Sequence, residues 1–203
     1  MNMRAWANLL LPDALNTHLD WLRDLVRGDD GMLAQVVRSP AARRLLARKT
    51  YTRFGLVPPA RATLTATQEW LLATRDQQLA LARHLGMAAL QECIRRTVNA
   101  KAVATLRREL GEDAYRKAMT QPPLAVTGLD AARFREEIER NGVGVYLTAV
   151  GAALLESTLP VDEPFYRLRM ALIFSPPCWQ SRPRGLQVDP QALATQLREG
   201  LRA

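Results

Sequence analysis

The sequence predicts an all-α fold, a single compact multi-helix domain of roughly eight to ten helices by its periodicity. Three observations carry this. The 203 residues are 48% apolar but only 6% aromatic, so the core must be built mainly from Leu, Ala and Val, which suit packed helices better than aromatic strands. Apolar residues recur at helical spacing in one segment after another. Cap residues and helix-ending Gly or Pro stand at the segment boundaries. A chain of this length buries roughly 70% of its unfolded surface and needs no covalent staple. It reads as an N-terminal helical segment, residues 1–60, packed with a helical core, residues 61–203, as one domain.

The elements follow in order. Residues 13–27, DALNTHLDWLRDLVR, place Leu15, Leu19, Leu22 and Val26 on one helical face. Asp13 is the expected N-cap and Gly28 the stop. Asp30 opens a short helix through Val37. Ser39-Pro40 is a cap and first turn for AARRLLARKTYTRF. Gly55 and Pro58-Pro59 end that block, which places a boundary near residues 55–64. Thr65 with Gln68 three residues on reads as a capping box. The segment it opens is apolar over a wide arc. Leu71, Ala82 and Leu85 share a face, and Leu72 and Leu79 lie about 90° round. A largely buried helix is therefore expected within residues 67–90.

Met87, Leu90, Ile94 and Val98 form one stripe, and Val103, Leu106 and Leu110 form another. On one straight helix these stripes would point about 150° apart. A break near Asn99-Ala100 resolves the conflict. Arg96 then lies nearly opposite the first stripe and Arg108 nearly opposite the second, while Arg95 and Arg107 flank them. Pro122-Pro123 closes this block. Asp130 caps the next segment, which is charged around Phe134 and Ile138 and almost wholly apolar from Val143 to Leu155. A second buried helix is expected within residues 143–156, where Gly142, Gly144 and Gly151 let another backbone approach. EPFYRLRMALIF fits both periods: Tyr166, Leu168, Met170 and Leu172 alternate, whereas Phe165, Leu168 and Leu172 fit a helix. Pro164 suits a first turn and no partner strand is visible, so helix is preferred. SPPCWQSRPRG reads as a loop, and Asp189-Pro190 opens a final short helix.

Composition excludes several classes. No apolar run approaches the ~20 residues that span a bilayer. NLLLP near the N-terminus is too short for a signal-peptide core, so a cytosolic location is expected. Two cysteines, Cys93 and Cys178, make no disulfide framework and no zinc-ribbon spacing. The net charge is +8, with 25 arginines against three lysines. Guanidinium pairs bidentately with carboxylate or phosphate, so an acidic protein or a nucleic acid is a plausible partner class.

HLGMAALQECIRR, residues 84–96, holds the densest set of reactive residue types. On a helix His84 and Cys93 lie about 180° apart, and Glu92 lies roughly 12 Å along the axis from His84. No two of the three can share a metal within the stretch, and no Cys–His pair forms locally. NGVGVYLTAVG lacks the Gly-Lys-Ser/Thr ending of a phosphate-binding loop. Asp29-Asp30 and Glu136-Glu137 stand at cap or helix-surface positions. The residues therefore offer no enzyme site, and no metal or nucleotide is expected to be needed. Trp179, among prolines and beside Arg182 and Arg184, is a candidate partner anchor; the competing reading is that it pins its loop to the protein's own core. Arg96 and Arg108 are the other candidate partner-binding residues.

LARHLGMAALQECIRRTV followed by LRRELGEDAYRKAM resembles the SctK family of type III secretion proteins (the YscK and PscK proteins). NGVGVYLTAV and EPFYRLRMALIFSPP fit that family's C-terminal half in the same order, so the resemblance covers roughly residues 70–178. It implies a non-enzymatic adaptor of the cytosolic sorting platform, beneath the injectisome at the cytoplasmic face of the inner membrane. Such proteins link the cytoplasmic domain of the ring protein SctD to the pod protein SctQ, which holds the stator SctL and the ATPase SctN. The resemblance implies no cofactor and no small-molecule substrate. It transfers no contact residue, so Arg96 and Arg108 rest on helical phase alone. The alternative from charge is a basic helical nucleic-acid-binding protein, although no basic stripe is interleaved with exposed aromatics.

Overall fold

The computed structural model describes residues 17–26, 30–59, 64–160 and 162–201. The elements in chain order are α1 (Leu19–Val26), α2 (Asp30–Arg38), α3 (Pro40–Phe54), a 3-10 helix (Ala66–Leu72), α4 (Arg75–Arg95), α5 (Ala100–Leu110) and α6 (Glu112–Thr120). There follow β1 (Val126–Thr127), α7 (Ala131–Asn141), α8 (Val143–Glu156), α9 (Pro164–Ala171), α10 (Pro176–Ser181), β2 (Gln187–Val188) and α11 (Pro190–Gly200). The fold is all-α, as composition and periodicity predict. β1 and β2 form one small antiparallel pair, Val126 opposite Val188, which the sequence reading did not foresee. Among the described residues, no helix is long and apolar enough to cross a membrane.

The chain divides into two compact units. The first joins the chain up to Gln78 with Thr158–Pro176, and the second joins Leu79–Ser157 with Pro177–Ala203.

In the first unit Leu22, Leu33 and Leu46 bring α1, α2 and α3 together, with Leu25, Val26 and Val36 packed around them. α1 begins at Leu19, later than the Asp13 cap implies. Asp13, Leu15 and Gly28 lie outside the described residues. His18 takes the cap position: its Nδ1 accepts from the Asp20 N–H at 3.3 Å, and its own N–H donates to the Leu172 carbonyl at 2.7 Å. Leu19 faces solvent, 50% exposed, while Leu22, Leu25 and Val26 face inward. Ser39 caps α3 as expected, with Pro40 in the first turn, and Gly55 at φ 61° ends it. Trp21 donates to the Phe174 carbonyl at 2.9 Å and meets Phe54 edge to face.

The expected helix over 67–90 is in fact two elements. Gln68 accepts from the Thr65 N–H at 3.0 Å, but this opens only the 3-10 helix. Trp70 is buried there and donates to Thr158 at 3.1 Å. Ala73 is extended, at ψ 160°, and a second capping pair restarts the chain. Thr74 N–H donates to Gln77 Oε1 at 2.9 Å, and Gln77 N–H donates to Thr74 Oγ1 at 3.3 Å. α4 follows.

The second unit is built round α8, which is buried along most of its length, from Val143 and Tyr146 through Leu155. α4 and α8 cross at their backbones. A Cβ on Gly86 would overlap the Leu147 carbonyl, and one on Gly151 would overlap the Ala82 carbonyl. Residues 82 and 86 therefore meet 151 and 147, so the two helices run antiparallel, with Ala82 and Gly86 one turn apart on α4 facing Gly151 and the Leu147 backbone on α8. Gly144 has open space around it and makes no such approach.

Single glycines in positive φ separate two helix pairs: Gly111 (φ 82°) between α5 and α6, and Gly142 (φ 82°) between α7 and α8. Glu109 accepts from the Val143 N–H at 2.7 Å, so a carboxylate neutralises the N-terminus of α8. The break at Asn99 is where stripe phase requires it, and Asn99 caps α5 through the Lys101 and Ala102 N–H groups. Val98 leaves its expected stripe, 91% exposed in the linker. Asp130 and Asp189 cap α7 and α11 as expected. SPPCWQSRPRG begins as the helix α10, which the three prolines did not suggest.

Candidate partner-binding surface

The arginines of the second unit fall into two roles. Arg96 lies just beyond the end of α4 with its side chain 72% exposed, and Arg108 sits on the last turn of α5 with 75% exposed. Both point outward, as the phase of their stripes requires. Arg96 is held by Glu92 at 2.8 Å, an i,i+4 pair. Arg108 is 3.8 Å from Glu109 Oε1, a loose pair, because the other Glu109 oxygen is committed to Val143.

Arg95 is half-buried, and Arg107, although 55% exposed, lies against a tyrosine ring. Arg95 donates from Nε to the Ala118 carbonyl at 3.1 Å and from Nη2 to the Gln121 carbonyl. These carbonyls lie at the C-terminus of α6, where a cation is favoured. The Arg107 guanidinium stacks 5.1 Å from the centre of the Tyr115 ring. The flanking position of both residues was legible in the sequence; the partners they meet were not.

Trp179 lies within α10 and is half-buried. The Arg182 guanidinium covers one ring face at 3.6 Å. Arg182 also donates to the Trp179 carbonyl at 2.6 Å and bidentately to Glu156 at 2.7 and 3.3 Å. The stack ties α10 to the C-terminal end of α8, so at least one face of the indole is engaged within the protein.

His84, Glu92 and Cys93 do not converge. His84 Nε2 lies 3.1 Å from Gln196 Oε1, and Glu92 faces Arg96. Cys93 is buried, and burial raises its thiol pKa. Burial also pushes Cys178 up to about 12, against the opposing influence of Arg83 and Arg182. Both are held as thiols, not as thiolate nucleophiles. Among the described residues no three His, Cys, Asp or Glu side chains are grouped to hold a metal. His18 belongs to the first unit and Cys93 to the second.

Glu137 departs from its expected surface position. It is buried, accepts from Asn141 at 2.8 Å and lies 3.9 Å from Arg133. Asp29 lies outside the described residues. A polar hollow of about 320 Å³ opens in the second unit beside His84, Gln91, Gln121, Gln196 and Glu199. Its groups largely satisfy one another: Gln196 donates to Glu199 at 2.9 Å, and the Gln91 amide, suitably oriented, donates to the Gln121 and Pro122 carbonyls at 3.0 Å.

Comparison with protein-family models, with curated proteins and with solved structures finds no match to this chain.

Proposed function

We propose that this chain is a non-enzymatic helical adaptor of the sorting platform of a type III secretion injectisome, working at the cytoplasmic face of the inner membrane. On this reading it links the cytoplasmic domain of SctD to SctQ, and through SctQ to SctL and the ATPase SctN. One observation carries the reading. Two of the segments that resemble the SctK family, LARHLGMAALQECIRRTV and NGVGVYLTAV, contain Ala82, Gly86 and Leu147, three of the four residues that lock α4 against α8, and the fourth, Gly151, directly follows the second segment. Likeness that takes in a close-packed helix crossing supports a common scaffold, because such a crossing tolerates few substitutions. Outward Arg96 and Arg108, on a chain of net charge +8, supply groups suited to acidic partners.

The test is a pull-down of the full chain against SctD and SctQ cytoplasmic fragments from the same genome. Capture of both supports the adaptor. Capture of neither, with all three proteins folded, removes it. A second reading, a basic helical nucleic-acid-binding protein, is favoured by the charge and by α3, which holds five cations and no carboxylate. Binding to random duplex DNA that falls steeply with salt would favour that reading.

A further inference from the structure

We infer that the groove between α1 and α3 is a docking site for an acidic amphipathic helix of a partner protein. Leu25 and Val26 line it from α1, and Leu45, Arg48, Lys49, Thr52 and Arg53 from α3, around about 690 Å³ of open space. On α3 these positions recur at three-, four- and eight-residue spacing, so they form one face of the helix. The inner face is a different set, Leu46, Ala47 and Thr50, which is buried in the unit.

Two features distinguish the groove from an ordinary solvated face. Leu45 is 59% exposed beside the half-buried Leu25 and Val26, so the apolar floor is incompletely covered. The α3 side of the rim is of one sign. α3 carries Arg43, Arg44, Arg48, Lys49 and Arg53 with no carboxylate. On the α3 side of the groove, Arg48 and Lys49 are exposed and meet no acidic side chain among the described ones.

An apolar floor under a cationic rim matches a helix with leucine-like residues on one face and carboxylates along its edges. A nucleic-acid backbone would satisfy the cations but leave Leu25, Val26 and Leu45 in water. An anionic bilayer is flat where the groove is concave. The inference stands apart from the adaptor reading, because these residues lie outside the stretch that resembles the SctK family.

The test uses the full chain and a fluorescein-labelled peptide of about 18 residues, five helical turns, with leucine on one face and glutamate elsewhere. A counterpart carries lysine for glutamate. Fluorescence anisotropy should show the acidic peptide binding about tenfold or more tighter than the basic one. Arg48→Glu with Lys49→Glu should weaken the acidic peptide about tenfold or more, and Leu45→Ser should weaken it severalfold. All three side chains are exposed, so the helical circular dichroism of both variants should match wild type. Lys101→Glu with Arg116→Glu, at exposed positions of α5 and α6 outside the groove, should leave peptide binding unchanged. Equal affinity for the two peptides would overturn the inference, as would wild-type affinity in both groove variants. Tighter binding of duplex DNA or phosphatidylglycerol vesicles, lost with Arg48 and Lys49 but indifferent to Leu45, would overturn it in favour of those ligands.

Discussion

Burial decides what the reactive residues of this chain can do. Cys93 and Cys178 are enclosed in the second unit, and burial raises both thiols above their ordinary range, Cys178 to about 12. Both should resist a disulfide-exchange reagent such as dithionitrobenzoate while the protein is folded and react fully once it is denatured; rapid labelling of native protein would contradict this. His18 couples a helix cap to pH. Its Nδ1 can cap α1 only while unprotonated. The same nitrogen is 3.4 Å from Asp20 Oδ2, a pair that needs the proton the cap excludes. Burial lowers its pKa below 6.5; Asp20 opposes this, and Arg75 and Arg23 add to it. The neutral cap therefore prevails near neutral pH. As pH falls through 6.5 the unfolded chain takes up a proton before the folded one does, so the His18 contribution lowers stability until the folded ring also protonates. His18→Asn keeps a cap acceptor without the titration. It should flatten the dependence of the urea midpoint on pH between about 7.5 and about 5.5.

At the scale of elements, glycine and arginine positions separate by what they touch. Gly86 and Gly151 meet backbone carbonyls of the facing helix, and backbone cannot move aside as a side-chain tip can. Gly86→Ala or Gly151→Ala should therefore destabilise by about 3 kcal/mol or more, the upper end of overpacking costs. Gly144→Ala, in open space on the same helix, should be neutral or stabilising by up to about 1 kcal/mol. Denaturant titrations of the three variants would check this order; equal losses would mean that the α4–α8 crossing is not the constraint. Neighbouring Arg95 and Arg96 should differ as well. Arg95 serves carbonyls at the end of α6, so Arg95→Ala should cost about 1.5–3 kcal/mol. Arg96→Ala removes one exposed pair and should cost about 0–1 kcal/mol, measured in the same titrations.

For the molecule as a whole, the net charge of +8 matters through where it is presented. Arg96 and Arg108 do little for the fold, so reversing both to Glu should leave the denaturation midpoint almost unchanged. If they face an acidic partner, the same double reversal should weaken SctD or SctQ binding by roughly a hundredfold and reduce its dependence on salt. Wild-type affinity for both fragments would exclude these two arginines from the interface. Trp179, half-buried under Arg182, belongs first to the stack that holds α10 against α8. The groove on α3 lies in the N-terminal part of the chain, which sequence pattern alone gave no reason to single out: a basic helix signals a solvated face until a second helix is seen to floor it.

Local rules were enough for much of this protein. The all-α class, the helix starts at Ser39, Asn99, Asp130 and Asp189, the buried α8 and the outward phase of Arg96 and Arg108 all follow from residues within a turn or two of one another. Such features depend on cap chemistry and on the 3.6-residue period, and both are written in consecutive residues. Tertiary structure decided the rest. His18 caps α1 while its own N–H donates to Leu172, far along the chain, a contact no local pattern signals. The break within 67–90 was marked by Thr74 and Gln77, a second capping pair at the spacing of Thr65 and Gln68, but the wide apolar arc hid it, and only the fold shows Trp70 fixed through Thr158. Gly86 and Gly151 were needed where Gly144 was not, because only a facing backbone makes a missing Cβ matter. Arg95 became a cap for α6, and Val126 found a strand partner in Val188, through contacts between residues distant in sequence. Periodicity says which way a side chain points; only the packed chain says what stands there to meet it.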